Sequence, residues 1–265
     1  MDYLQGQVFD SYSNYNLERL LGKKPEKESS KAVVELIKSE TKNGDNIIEV
    51  GSSVGHLMRT LDKLNKNISY SGIDIDEFAI SKGNEISKST KFKNIDFRGL
   101  QIGKVDNIPF PDDSFDISIC LNVLEHVNNP IPGIKELIRT TKRLIIIRTM
   151  VGDQTFIVKE SRNLEHLSLG YQHLQLPSPK NEIDNVGEPK VFAYQNIYGK
   201  SFLNENLGDI ESIKSYQIFE DNMWDEKEYL KDSSVNSLFR RTEVINGAQT
   251  RGNFIDTNFW IIIKK

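Results

Sequence analysis

Cysteine is almost missing from the 265 residues: Cys120 stands alone, which excludes internal disulfides and any thiolate-rich zinc or iron–sulfur site. Long apolar runs are missing too. The longest, Leu144–Ile147 and Trp260–Ile263, are strand-sized, far short of the roughly 20 residues a membrane helix needs. The opening Met1-Asp2-Tyr3-Leu4-Gln5 has no basic segment followed by an apolar core, so no secretory signal is expected. Excess positive charge is absent as well. A net charge of −4 gives no global attraction to nucleic acid or anionic lipid and leaves room only for a local basic patch. There is no internal repeat and no low-complexity segment. The expected setting is a reducing cytoplasm with no membrane partner.

What is present is ordinary globular material, 37% hydrophobic and 27% charged, long enough for one large domain or one with a sizeable insert. Strand-like and helix-like patterns alternate through the first ~150 residues. Ala32–Ile37 after Ser29-Ser30 reads as an amphipathic helix with a serine cap, and Asn46–Val50 as a buried strand ended by Gly51. Leu57, Met58, Leu61 and Leu64 recur at helical spacing, and Ile68–Asp76 reads as the second strand. A helix around Phe78–Ile86 and a third strand near Asn94–Phe97 follow. Phe115, Ile117, Ile119 and Leu121 alternate with the period of a strand; Ile131, Ile134, Leu137 and Ile138 return to helix before Leu144–Ile147. Such repetition predicts parallel strands with right-handed crossovers, an open sheet with helices on both faces. After Met150 the rhythm breaks, and the stretches 151–196 and about 220–254 read as irregular inserts. Between and after them, a helix from Ser201 and strands Ile213–Phe219 and Thr257–Ile263 are expected.

Ligands of such sheets bind beyond the carboxyl ends of the strands. The first strand ends Glu49-Val50-Gly51-Ser52-Ser53-Val54-Gly55-His56. Glycines let the backbone approach a ligand, and the following helix start offers free N–H donors. As a dinucleotide fingerprint the segment fails, because Ser53 and His56 occupy glycine positions, and Glu49 would repel a pyrophosphate while suiting an amino group. The second strand ends Gly72-Ile73-Asp74-Ile75-Asp76. Asp76 is expected to cap the next helix, and Asp74 to accept ribose hydroxyls. A glycine loop and an acidic strand end about 25 residues apart indicate a nucleoside ligand.

The sharpest signal is Ile108-Pro109-Phe110-Pro111-Asp112-Asp113-Ser114-Phe115-Asp116, followed after the strand by Asn122-Val123-Leu124-Glu125-His126-Val127. With the two earlier pieces, this resembles the class I S-adenosylmethionine-dependent methyltransferases, specifically the type 11 group, over about residues 45–150. The resemblance implies a Rossmann-like, doubly wound, mostly parallel seven-stranded α/β sheet with an antiparallel last strand, and S-adenosylmethionine as cofactor. It implies that Glu49, Gly51, Ser52, Ser53 and Gly55 hold the methionine part, Asp74 the ribose, and Ile75 the adenine face. The family's adenine-binding aspartate is replaced by Lys104, so the backbone N–H of Val105, or Asp106, is expected to serve. Ser53 stands for the usual middle glycine and fits if it keeps a negative φ, its hydroxyl then reaching a carboxylate. Leu121, Asn122 and His126 lie where the family closes the methyl-donor site. Asn129-Pro130-Ile131-Pro132 reads as a helix start. Tyr12 and Tyr15 precede the core, where relatives can carry a cofactor-covering tyrosine; a surface or core role is favoured for them.

One domain is expected over 1–265, with a lead-in at 1–28, core at 29–150 and 198–265, and inserts at about 151–196 and 220–254. The implied reaction is in-line attack on a sulfonium-activated methyl, with a base for an oxygen nucleophile. His173 is the leading candidate base and His126 the second, with His166 and Asp153 also considered. His166 and His173 with Glu165 make a weak metal pattern, and no metal is expected. The favoured function is methyl transfer to an oxygen or nitrogen of a small molecule or soluble precursor, a sugar among the candidates. The polar and aromatic insert suits a hydroxylated substrate through Tyr171, Gln172, His173, Gln175, Tyr194, Gln195 and Tyr198. The alternatives are an RNA or protein methyltransferase, using Arg240, Arg241 and Arg251 as a basic patch, or a non-catalytic cofactor-binding module. Nucleic acid is the less favoured partner.

Overall fold

A computed structural model describes residues 10–161, 184–187, 192–223, 242–245, 248–251, 254–255 and 257–265. Helices α1 (Asp10–Leu20) and α2 (Glu28–Ile37) lead into strand β1 (Asn46–Val50). A short helix α3 (Met58–Leu61), extended by a 3₁₀ turn, precedes β2 (Ile68–Asp74). Then come α4 (Glu77–Ser89), β3 (Ile95–Ile102), β4 (Phe115–Leu121), α5 (Pro130–Thr140) and β5 (Thr141–Gly152). Short strands β6 (Lys159–Ser161), β7 (Phe192–Tyr194) and β8 (Tyr198–Gly199) are followed by α6 (Lys200–Gly208) and β9 (Ser215–Glu220). Strands β10 (Thr242–Ile245), β11 (Ala248–Arg251), β12 (Phe254–Ile255) and β13 (Asn258–Lys264) complete the described chain.

The main sheet runs β3-β2-β1-β4-β5-β13-β9, with β8 added beside β5. Its pairs are parallel except those of β13, which is antiparallel to both β5 and β9. The seven-stranded path and the antiparallel final strand are those expected. Alternation along the central strands sends side chains into two cores, one per face. Ile47, Ile117, Ile119, Ile146 and Trp260 join Val33, Ile37, Leu57 and Leu61 on one side. Ile48, Val50, Cys120, Ile147 and Ile261 join Ile134, Leu137 and Leu203 on the other. Strand order reverses between β1 and β4, so the loops leaving these two strands flank the switch-point crevice.

Several local expectations are corrected. The serine cap of α2 is not formed: the helix begins at Glu28 after an extended Lys27 that makes no side-chain cap, and Ser30 is buried inside the first turn. Glu28 lies at the positive end of the helix dipole and pairs with Lys31 at 2.6 Å, which favours the earlier start. Strand β3 runs well past Phe97; Gly99 adopts φ +124° beside a register shift opposite Tyr70 and Ser71, and this bulge breaks the alternation that marks a strand. The two inserts hold strands: β6 pairs with β7, and β10, β11 and β12 form an antiparallel ribbon. Elements of two to four residues are too short to show a period of two. The α5 start is as read, Pro130 beginning the helix and Asn129 Oδ1 accepting from Ile131 N at 3.0 Å.

Candidate functional site

The loop after β1 turns sharply onto the end of β2. Gly51 N and Ser52 N both donate to Ile73 O, at 2.8 and 2.9 Å. Gly51 has φ +81°, and a Cβ there would lie 2.2 Å from Val123 Cγ2, so only glycine lets the loops after β1 and β4 touch. Ser53 N donates to Asp74 Oδ2 at 2.7 Å, and Asp76 N to Asp74 Oδ1 at 3.0 Å. Gly103 N donates to Asp74 O at 3.0 Å, drawing the segment of Lys104 and Val105 to the same place. The structure therefore gathers the ends of β1, β2, β3 and β4; Glu49, Gly51, Ser52, Ser53, Gly55, Asp74, Ile75, Val105, Asp106, Leu121 and Asn122 lie at these ends or on the loops that leave them, and His126 lies on the turn after β4.

Individual residues refine this. Ser53 does not keep a negative φ; it is left-handed at +49°. The Asp74 carboxylate holds its N–H, and its hydroxyl accepts from Asn16 Nδ2 of α1 at 3.3 Å instead of reaching a carboxylate. Asp76 caps α4 as expected, accepting from Ala79 N at 3.1 Å. Asp74 Oδ2 accepts from Ser53 N and Oδ1 from Asp76 N, and the Ile75 backbone also donates to the carboxylate, which still leaves it room to accept from a ligand hydroxyl. Burial raises its pKa, with Asp76 adding to the rise and the backbone donors opposing it. Val105 buries its side chain against Gly133, while Lys104 and Asp106 are exposed. Ile75, Leu121 and Asn122 remain partly exposed at the strand ends.

Glu49 is 3% exposed and accepts a hydrogen bond from the Tyr70 hydroxyl. Burial pushes its pKa up to about 8, against the lowering effect of Tyr70. A buried carboxyl with a neutral donor beside a glycine loop suits a cationic ligand group, and Asn16 Oδ1, buried and without a hydrogen bond, is a second free acceptor beside Ser53. His56 is buried and its pKa held well below the usual value, first by burial and then by Lys27 and Arg19, so the ring is neutral. These groups fit a ligand that carries an ammonium group at one end and a ribose at the other.

The loop before β4 is held from α5. Arg139 donates to Ile108 O at 3.0 Å, Phe110 O at 2.9 Å and Asp112 at 2.7 Å. Beyond β4, Asn122 has φ +56° and accepts from Arg148 Nη1 at 2.6 Å. Arg148 also pairs with Asp221 at 2.7 Å, and Trp260 Nε1 donates to Asp221 at 2.8 Å. The 3₁₀ turn Leu124–His126 follows, with Glu125 buried and bonded to Thr149 Oγ1 at 3.0 Å. His126 is half-buried, its Nδ1 2.9 Å from Tyr194 O.

Sequence reasoning missed Asn16, Glu125, Arg148, Asn196 and Asp221. Arg148 carried a signal, a charge beside an apolar run, and Glu125 stood within the Asn122–Val127 segment; the others carried none. Gln195 and Tyr198, counted in the insert expected to suit a hydroxylated substrate, are buried at 6% and 1% exposure. The Tyr198 hydroxyl donates to Leu124 O at 2.6 Å, because an interior hydroxyl must find a partner. Tyr15 supports Arg19 and Lys24, whose charges lie 4.4 and 4.2 Å from its ring centre, while Tyr12 lies on α1. Asp153 is exposed just past β5. His166, His173, Glu165, Tyr171, Gln172, Gln175, Arg240 and Arg241 lie outside the described residues, and Arg251 is on β11.

A family model described as "Methyltransferase domain" matches residues 41–222. An uncharacterized methyltransferase of Schizosaccharomyces pombe is 30% identical over 107 residues, 38% of this chain and 37% of that protein. The uncharacterized methyltransferase YdaC of Bacillus subtilis is 30% identical over 99 residues, 37% of this chain and 51% of that protein. These matches thus span about a third to a half of the relatives' lengths. Among solved structures, the magnesium protoporphyrin IX methyltransferase of Synechocystis PCC 6803 with bound S-adenosylhomocysteine superposes with a TM-score of 0.53 at 14% identity. That alignment covers 97% of this chain and 96% of the other, and it speaks to the fold.

Proposed function

The chain belongs to the class I S-adenosylmethionine-dependent methyltransferases, and from that premise we propose that it methylates an oxygen or nitrogen of a small molecule or soluble precursor, a sugar being one candidate. The observation that carries this reading is the convergence of Glu49, the Gly51–Gly55 loop, Asp74 and the Asn122–His126 segment at one switch point. Bound S-adenosylmethionine supplies an electrophilic methyl group. In this reading Glu49 meets the ammonium, Asp74 the ribose hydroxyls, Ile75 and the backbone at Val105 the adenine, and Asp106 stays at the rim. Gly51, Ser52, Ser53 and Gly55 shape the floor, and Leu121 and Asn122 border the methyl group.

His126 is the candidate base that the described site contains, while His173 keeps its candidacy from sequence alone. The acidic net charge supports a small acceptor over nucleic acid. We also propose that residues 1–265 act as one domain, with acceptor selectivity in the two inserts. Among the described residues no helix is long and apolar enough to cross a membrane.

Calorimetry with S-adenosylhomocysteine, followed by detection of its formation from S-adenosylmethionine and a metabolite pool, tests the proposal. Binding with turnover is expected. Absence of binding sinks the reading, and binding without turnover of any pool favours a non-catalytic module.

A further inference from the structure

His126 Nδ1 lies 2.9 Å from the carbonyl oxygen of Tyr194. A carbonyl oxygen only accepts, so Nδ1 carries the proton and the lone pair of the neutral ring is on Nε2. Free imidazole side chains favour the opposite tautomer, so the fold spends a hydrogen bond on selecting this one.

The segment that supplies the carbonyl is itself fastened to the turn bearing His126. Asn196 N donates to Glu125 O at 2.8 Å and Asn196 Nδ2 to Val127 O at 2.7 Å. Tyr198 Oη donates to Leu124 O at 2.6 Å and lies 3.0 Å from Val127 O. Asn196 Oδ1 accepts from Val158 N at 3.0 Å, and Gln195 N donates to Val158 O at 2.9 Å, tying the segment to the residue just before β6. From the other side, Thr149 holds the Glu125 carboxyl. Asn196 and Tyr198 are almost wholly buried, whereas His126 is not, and its Nε2 has no hydrogen-bond partner among the described residues. The partly exposed ring thus presents an unpartnered Nε2 on the turn that follows β4.

We propose that Tyr194–Tyr198 is a clamp that fixes His126 as the Nδ1–H tautomer, so that Nε2 takes the acceptor's proton, and that the acceptor is a hydroxyl group. This rests on the methyl-transfer reading above. In the step, the hydroxyl oxygen forms its bond to the methyl carbon as the carbon–sulfur pair stays with sulfur. The O–H bond breaks, its electrons remain on oxygen, and the proton goes to Nε2, leaving an imidazolium where the sulfonium charge was. Asn196 and Tyr198 are positioning residues; they touch the turn and act through His126.

The test uses the full chain, labelled with ¹⁵N, and long-range ¹H–¹⁵N correlation of its four histidine rings at a pH where they are neutral. The His126 signals are assigned by their loss in His126→Gln. The Nδ1–H pattern is expected in the unaltered protein. Tyr198→Phe, which removes one oxygen, and Asn196→Ala should each raise the Nε2–H population, with Tyr198→Phe leaving S-adenosylhomocysteine affinity within about twofold. An Nε2–H ring in the unaltered protein, or a tautomer unmoved by both variants, overturns the clamp. Methyl-labelled S-adenosylmethionine offered with matched alcohols, phenols and amines tests the acceptor. Hydroxyl methylation that falls roughly 10²–10⁴-fold in His126→Gln supports the proposal. Methylation confined to amines, or turnover unchanged in His126→Gln, overturns it. Failure to bind S-adenosylhomocysteine would strike the underlying reading instead, while the tautomer would still report on the clamp.

Discussion

Glu49 joins burial, protonation and proposed ligand binding in one residue. Its folded pKa of about 8 lies above the ordinary 4.5, so the folded chain keeps a proton that the unfolded chain has released. Its contribution to stability is therefore complete below about pH 4.5 and is lost as pH rises toward 8. We predict that Glu49→Gln flattens this part of the ligand-free stability profile, measured by urea denaturation at several pH values. An ammonium beside the carboxyl favours the ionised form, so binding S-adenosylhomocysteine between these limits should release up to one proton. Calorimetry in buffers of different ionisation enthalpy reads that number, and zero release would separate Glu49 from the ammonium. At Asp74 the carboxylate that holds the loop is also the proposed partner of the ribose. Asp74→Ala is expected to weaken S-adenosylhomocysteine binding by roughly 2–4 kcal/mol, the worth of two charge-assisted hydrogen bonds. A loss below about 0.5 kcal/mol would assign the residue to the loop alone.

Elements carry the next layer, since the ends of β4, β5, β9 and β13 are joined by one buried polar network. Arg148 and Asp221 are 9% and 2% exposed, and Asp221 also accepts from Trp260. Removing one partner of such a pair leaves an uncompensated charge in the interior. Asp221→Ala is predicted to lower stability by about 3–5 kcal/mol in denaturant titration. Arg148 also anchors the left-handed Asn122 twice, its Nη1 donating to Asn122 Oδ1 at 2.6 Å and its carbonyl oxygen accepting from Asn122 N at 2.8 Å. Lys104 is exposed and its neighbour Val105 buries its side chain, so adenine recognition there is expected to run through the backbone. Lys104→Ala should leave S-adenosylhomocysteine affinity nearly unchanged, and a tenfold loss in calorimetry would hand the contact to the lysine side chain.

For the molecule as a whole, the proposed ligand bridges the ends of β1, β2, β3 and β4 and should stabilise them together. At 100 times its dissociation constant a ligand adds about 2.7 kcal/mol, a rise in Tm of roughly 5–10 °C for a chain of this size. That rise is predicted for S-adenosylhomocysteine and not for NAD, whose pyrophosphate would face Glu49 and lack the glycines it needs at Ser53 and His56. An equal shift with NAD would overturn the choice of ligand.

The chain's own order determined the sheet, its crossovers and the stretch from Glu49 to His126, because strand ends and the loops that leave them are local features. A glycine turn, an acidic strand end and a helix-starting proline each declare themselves within a few residues. The groups that tertiary structure alone decided are those whose partners are distant in sequence. Asn196 meets Val127 across 69 positions, and Arg148 meets Asp221 across 73. Nothing in the local text marks either pairing. Ser53 makes the same point at short range: its left-handed backbone is set by a carboxylate 21 residues on, which no local propensity encodes. Composition could group Tyr198 with the polar and aromatic residues of the insert, but only packing showed its hydroxyl turned inward to the Leu124 carbonyl, since a buried donor takes whatever acceptor the fold brings to it.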